Sequence, residues 1–267
     1  IEAEQLARSM TERFPHYGVG WKALGAVLKQ MDRSADALAP MRKATALLPN
    51  DAESHSNLGL VLKDLGQFDD AVVSYRQALK IKPDFAEAHN NLGNALQSMG
   101  QMDESEASYL QALKIKPDYA EAHNNLGNTL QSLGRLDESE ASYRQALKIK
   151  PDYAEAYNNL GNPLHGLGRL GESEASYLRA LKIKPDYPEA LNNLALLLNA
   201  QGKATTALHV IKQSLRIKET AEARNVFVAC VKHIRLTHDD NDIRIDVTRA
   251  LAEPWCRPDD LARVSID

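Results

Sequence analysis

Between Ala120 and Tyr153 the apolar residues fall into two stripes at helical spacing, with a glycine between them. Leu126, Leu130 and Leu133 share one face of the first stripe. Leu136, Tyr143, Ala146 and Leu147, joined by the small Ser139, share one face of the second. Gly134 stands where a left-handed C-terminal residue meets no Cβ clash. Asp137 is expected to cap the second helix and to favour its dipole. Pro151 is expected to end it, because the residue before a proline is pushed toward extended geometry. Gly127, Ser139 and Ala146 are small enough for the two helices to approach closely. The pattern predicts an antiparallel helix pair that cannot bury its apolar face alone.

The same pattern recurs along the chain. Ala86–Tyr119 differs from Ala120–Tyr153 at five of 34 positions. Asp84-Phe85, Asp118-Tyr119, Asp152-Tyr153 and Asp186-Tyr187 each follow a Lys-Pro at that interval. Such a period predicts an all-α solenoid of stacked helix pairs, which grows without one central core. His123, Leu126-Gly127, Leu130, Ser139, Tyr143, Ala146 and Pro151 supply a large residue, Leu-Gly, a second large residue, a small one, an aromatic, alanine and proline. On those residues the chain resembles the tetratricopeptide repeat (TPR) family. The resemblance implies a right-handed α-α superhelix of antiparallel helix pairs.

In that register, residues 1–17 read as the second helix of an incomplete repeat, with Ala3, Ala7, Met10 and Pro15 in place. This reading expects the array to continue upstream. Six repeats follow: 18–51, 52–85, 86–119, 120–153, 154–187 and 188–221. In the first of them Asp32 replaces the turn glycine, and Pro40 lies inside the second helix. A kink or a late helix start is expected there. Pro163 falls in the middle of a first helix and has no N–H for the Asn159 carbonyl. Gly166, Gly168 and Gly171 follow it. Drift in a tolerant array and a hinge both fit this stretch. Glu219 takes the terminal proline's place in the sixth repeat. Beyond it, residues 222–267 are expected to form capping helices or a linker. Ala223–His233 and Ile243–Glu253 read as helices, Arg235–Asp242 as a loop, Pro258–Asp260 as another helix start, and Trp255 as packed on the solenoid.

Charged residues make up 25% of the chain and the net charge is −4, which does not suit a nucleic-acid binder. No apolar run approaches the ~20 residues of a membrane helix, so no membrane insertion is expected. Cys230 and Cys256 are too few for a disulfide framework, which points to a reducing, cytoplasmic setting. The chain opens on Ile1 with no signal peptide ahead, and so reads as a fragment. No nucleophile with a base, phosphate-cradling glycine loop or metal-ligand spacing is present, so neither enzyme activity nor a cofactor is expected. His55, His89 and His123 recur once per repeat, too far apart to share a metal, and are expected to be half-buried packing residues. Glu138, Glu140, Lys148 and Lys150 read as solvated helix ends.

Candidate binding chemistry lies on the first helices. Glu121, Asn124, Asn125, Asn128 and Gln131 fall opposite the leucine stripe, on the face that lines the concave surface in TPR proteins. Stacking sets up three columns: Asn57, Asn91, Asn125, Asn159 and Asn193; Asn90, Asn124, Asn158 and Asn192; and Asn94, Asn128 and Asn162. Gln97 and Gln131 extend them. A side-chain amide carries both an acceptor and donors, so a column of them suits the main chain of an extended polypeptide. The Asn57-to-Asn193 column resembles the asparagine ladder of O-GlcNAc transferase superhelices. It does not resemble the cationic clamp of chaperone-binding TPR domains. A plain wet face is the competing reading, since asparagine is roughly 0.6 kcal/mol worse than alanine in a helix.

The leading expectation is therefore a non-catalytic scaffold that binds a protein or peptide segment in an asparagine-rich groove. Two alternatives stand beside it. One is the substrate-recognition arm of a larger bacterial transferase, a glycosyltransferase or methyltransferase. The other is a self-assembling scaffold that associates through the open N-terminal half-repeat.

Overall fold

The structure is a computed structural model, and it describes residues 2–232, 248–250 and 255. All the regular structure described is helical, and no strand occurs among these residues. The chain divides into two compact units, residues 1–134 and 135–267.

The first unit contains α1 (Glu2–Arg13), α2 (Gly18–Gln30), α3 (Ser34–Leu47), α4 (Ala52–Asp64), α5 (Phe68–Ile81), α6 (Ala86–Ser98), α7 (Met102–Ile115) and α8 (Ala120–Ser132). Consecutive helices pack throughout, and so do the alternate helices α2, α4, α6 and α8. The second unit contains α9 (Leu136–Ile149), α10 (Ala154–Gly166), α11 (Leu170–Ile183), α12 (Pro188–Ala200), α13 (Ala204–Ile217) and α14 (Ala221–Val231). There too consecutive helices pack, and α10, α12 and α14 touch in series. This is a helical solenoid of stacked pairs.

Local chemistry places the breaks. Gly66, Gly100, Gly134, Gly168 and Gly202 all sit at φ between 73° and 76°, the left-handed turn that ends each first helix. Asp32 does the same work at φ 56°. Lys150, before Pro151, has φ −127° and ψ 88°, and α9 ends one residue earlier. The expected cap was misplaced. α9 begins at Leu136 with Arg135 as its N-cap residue and no side-chain cap bond, so Asp137 lies in the first turn and acts only on the dipole. Side-chain caps occur at Asp51, which accepts from the Ser54 N–H, and at Thr220, which accepts from the Ala223 N–H.

Packing is distributed rather than central. In the first unit Tyr75 and Tyr109 are wholly buried. A Cβ on Gly93 would lie 2.6 Å from the Tyr109 ring, so only glycine lets the ring lie against α6. Ser105 donates its hydroxyl to the Gly93 carbonyl at 2.9 Å and ties the same two helices. Tyr109 meets Leu126 and Leu130 of α8, while Tyr75 meets Leu92 and Leu96 of α6. The second unit repeats the device: Tyr143 packs on Leu160 and Leu164, and Tyr177 joins a cluster running through α12, α13 and α14 to Trp255. Trp255 is buried, edge-on to Phe227 at 5.6 Å, with the Arg224 and Arg249 guanidinium groups against its ring. Its packing role is as expected.

Both prolines sit inside continuous helices. α3 starts at Ser34 and runs through Pro40, so a late start does not occur. α10 runs through Pro163. The expected helix at Ile243–Glu253 lies outside the described residues except at 248–250, which are helical. The expected loop at Arg235–Asp242 and the start at Pro258–Asp260 also lie outside them.

Charged clips link successive pairs. The Glu4 carboxylate accepts from Arg8 of its own helix and from Arg33 of the next pair. Hydrogen bonding from Arg8, with Arg33 nearby, holds it below the usual carboxylate range. In the second unit Glu140 takes the same place with Arg144 and Arg169, and Glu174 pairs with Lys203.

Candidate functional site

The fourteen predicted amides lie on α4, α6 and α8 in the first unit and on α10 and α12 in the second. They separate into three environments. Asn57, Asn91, Asn125, Asn159 and Asn193 are half-buried, as are Asn94, Asn128, Asn162, Gln97 and Gln131. Asn90, Asn124, Asn158 and Asn192 are not on a surface at all: their exposures are 5, 0, 5 and 2%.

That burial corrects the expectation for the second column. The Asn90 oxygen accepts from the amino group of Asn125 at 3.1 Å, and the Asn158 oxygen from that of Asn193 at 3.0 Å. The Asn192 oxygen accepts from the Ser214 hydroxyl at 2.7 Å. Asn124 and Asn158 donate to the oxygens of their chain neighbours Asn125 and Asn159 at 3.4 and 3.3 Å. Asn90, Asn158 and Asn192 are internal ties between helices, and all four amides are buried away from a ligand. A buried polar group must be paired to be tolerated, and here the pairing comes from the adjacent column for Asn90, Asn124 and Asn158 and from Ser214 for Asn192.

In the third column, Asn94 and Asn162 are tied inward by tyrosine. The Tyr109 hydroxyl donates to the Asn94 oxygen at 2.7 Å, and the Tyr177 hydroxyl to the Asn162 oxygen at 2.8 Å. A longer contact of 3.4 Å joins Tyr109 to the Gln97 oxygen. In the α4–α5 pair Leu60 occupies the register of Asn94. There the buried Tyr75 hydroxyl has no partner. Burial pushes the Tyr177 phenol up to about 12 and drives Tyr75 and Tyr109 higher. The Tyr109 and Tyr177 hydroxyls are structural donors.

Sequence reasoning missed the work done by the histidines. His55, His89 and His123 are half-buried, and each ring Nε2 lies 2.9–3.0 Å from the carbonyl of the proline six residues earlier. Trp21 donates to Pro15 in the same way at 2.9 Å. The shared feature is a ring N–H at one position, and the Trp-to-His exchange between repeats was the available signal. Among the described residues no three His, Cys, Asp or Glu side chains gather as metal ligands. No described helix is long and apolar enough to cross a membrane. A cleft of about 430 Å³ lies in the second unit, lined by Arg144, Lys148, Tyr157, Leu160, Leu164 and Glu172 among others; none of the amides faces it.

Comparison with known proteins bears on the fold. Tetratricopeptide repeat profiles match residues 59–100, 84–152, 118–186 and 176–209, running without a gap over more than half of the chain. No curated protein sequence matches it. Among solved structures it is similar to the APC/C hetero-tetramer Cut9-Hcn1 (TM-score 0.76, 15% identity, 86% of this chain and 46% of that one). It therefore spans about half the length of that chain. It is also similar to PilW, described as a widely conserved type IV pilus biogenesis factor (TM-score 0.72, 24% identity, 78% and 97% covered). A third is YrrB, described as a TPR protein with an unusual peptide-binding site (TM-score 0.54, 19% identity, 69% and 96% covered). At these identities the likeness concerns fold alone. Continuous profile matches over the region that folds into helix pairs with glycine turns lead to one conclusion: the chain belongs to the tetratricopeptide repeat family.

Proposed function

We propose that this chain is a non-catalytic protein–protein interaction module that holds an extended polypeptide along the first-helix face of each unit. In the first unit the contacts come from Asn57, Asn91, Asn125, Asn94, Asn128, Gln97 and Gln131. In the second they come from Asn159, Asn193 and Asn162. The observation that supports this reading is their half-exposure at constant register, after the fully buried column is set aside. Amides at a fixed interval match a ligand whose polar groups also recur, as a main chain's do. The peptide-binding site named for YrrB belongs to that protein, and agrees with the reading without carrying it.

The structure dictates which residues test it. Asn125 and Asn193 tie down buried amides, so their loss would disturb the fold as well as any ligand. Asn57 and Asn91 take part in none of the bonds described above. The double change Asn57→Ala/Asn91→Ala should weaken a peptide selected by binding to the chain at least about tenfold, roughly 1.4 kcal/mol. Helicity and melting temperature should stay close to those of the parent. Unchanged affinity in calorimetry rejects the reading.

A further inference from the structure

If the first-helix face takes a peptide, the hydrogen bonds behind it restrict which peptide groups it can hold. Asn94 and Asn162 both turn their oxygens inward, onto the hydroxyls of Tyr109 and Tyr177. Those tyrosines are 0 and 3% exposed, and their shortest contacts are to these amide oxygens, the Gln97 oxygen lying farther from Tyr109 at 3.4 Å. A carboxamide carries its oxygen and its two N–H donors on opposite arms. Once the oxygen is held from within, the amino arm is the one left for the half-exposed side. The Asn57-to-Asn193 column is not polarised in this way, because the amino groups of Asn125 and Asn193 are themselves bound inward, to Asn90 and Asn158.

We infer that the face is polarised at Asn94 and Asn162: these two amides present N–H donors outward and take the ligand by its carbonyl oxygens. This deepens the peptide-binding reading and rests on it. The ligand groups it selects are main-chain carbonyls, or side-chain oxygens that stand in for them, rather than peptide N–H groups. Buried tyrosine sets the polarity. The α4–α5 pair is the internal contrast, because Leu60 replaces the amide there and leaves the Tyr75 hydroxyl with nothing to donate to. The donor row of the first unit accordingly includes Asn94 and has no counterpart in this column at position 60.

Aspartate separates donor from acceptor without changing shape. Asn94→Asp keeps an oxygen for Tyr109 and replaces the outward amino arm by a second oxygen; Asn162→Asp does the same over Tyr177. The probe is an uncharged dodecapeptide selected from a random library by binding to the full chain, measured at about 0.3 M salt so that distant charge is screened. Each aspartate variant should bind at least about tenfold more weakly than the parent, with helicity retained. Asn94→Ala should lose less, since it removes a donor without opposing the carbonyl. Equal or tighter binding by both aspartate variants overturns the inference, because a ligand that donates would be held better by a carboxylate. If one variant folds poorly, the other, in the second unit, decides the matter. If Asn57→Ala/Asn91→Ala weakens the peptide and the aspartates do not, only the polarity fails. If neither has an effect, or no binder is selected, the peptide-binding reading falls with it.

Discussion

At the scale of single residues, identical side chains do different work because one neighbour changes. Tyr75 and Tyr109 are both wholly buried, but only Tyr109 has an amide to donate to. A buried hydroxyl without a partner costs more than the hydrogen bond it fails to make. Tyr109→Phe should therefore lower stability by about 1 kcal/mol, while Tyr75→Phe should leave it unchanged or raise it by up to about 1 kcal/mol. Urea unfolding of the two variants checks this, and equal losses would mean that Tyr75 is satisfied after all. Trp21, His55, His89 and His123 show the converse. Different side chains do one job, because each offers a ring N–H to the same proline carbonyl.

At the scale of elements, the helices depend on their stack more than on their own sequence. α10 carries Pro163 in its third turn and still spans Ala154–Gly166. Packing of Leu160 and Leu164 against Tyr143 outweighs the missing N–H. The equivalent place in α6 holds Ala95, wholly buried, so the site accepts a smaller residue in the same geometry. Pro163→Ala should restore a donor for the Asn159 carbonyl and stabilise the chain by about 1–2 kcal/mol, less than the ~3 kcal/mol of an unsupported helix because some packing is lost. Thermal melting reads the outcome, and a lower melting temperature would show that the ring fills space alanine cannot.

At the scale of the whole molecule, stability is spread over many equivalent clusters, and buried tyrosine recurs in both units. Burial raises the phenols of Tyr75, Tyr109, Tyr143, Tyr177 and Tyr187, the last two to about 12. Their protons are held more tightly in the folded chain than in the unfolded one. The contribution is fully present below the ordinary phenol pKa near 10, and is lost as the pH climbs from there through about 12. The melting temperature should be flat between about pH 8 and 9.5 and fall steeply above about pH 10. Phenolate absorbance should then rise together with loss of helicity. Phenols that ionise near pH 10 in a fully helical chain would contradict their burial.

Spacing within one repeat is enough to place the helix pairs, the turn glycines, the proline stops and the small residues beneath each ring. All of these are set by neighbours within one repeat, where spacing fixes direction. Such spacing does not determine which asparagine of each Asn-Asn pair is covered. Asn90 and Asn91 lie about 100° apart on one helix, and the choice between them is made by α8, whose Asn125 reaches back to Asn90. Nor could it show that Asn94 points its oxygen at Tyr109, or that Asp137 lies in the first turn of a helix whose N-cap residue is Arg135. Periodicity assigns a side chain to a wedge of its own helix. Only the tertiary structure decides which wedge the next helix closes, and so which amides remain for another molecule to touch.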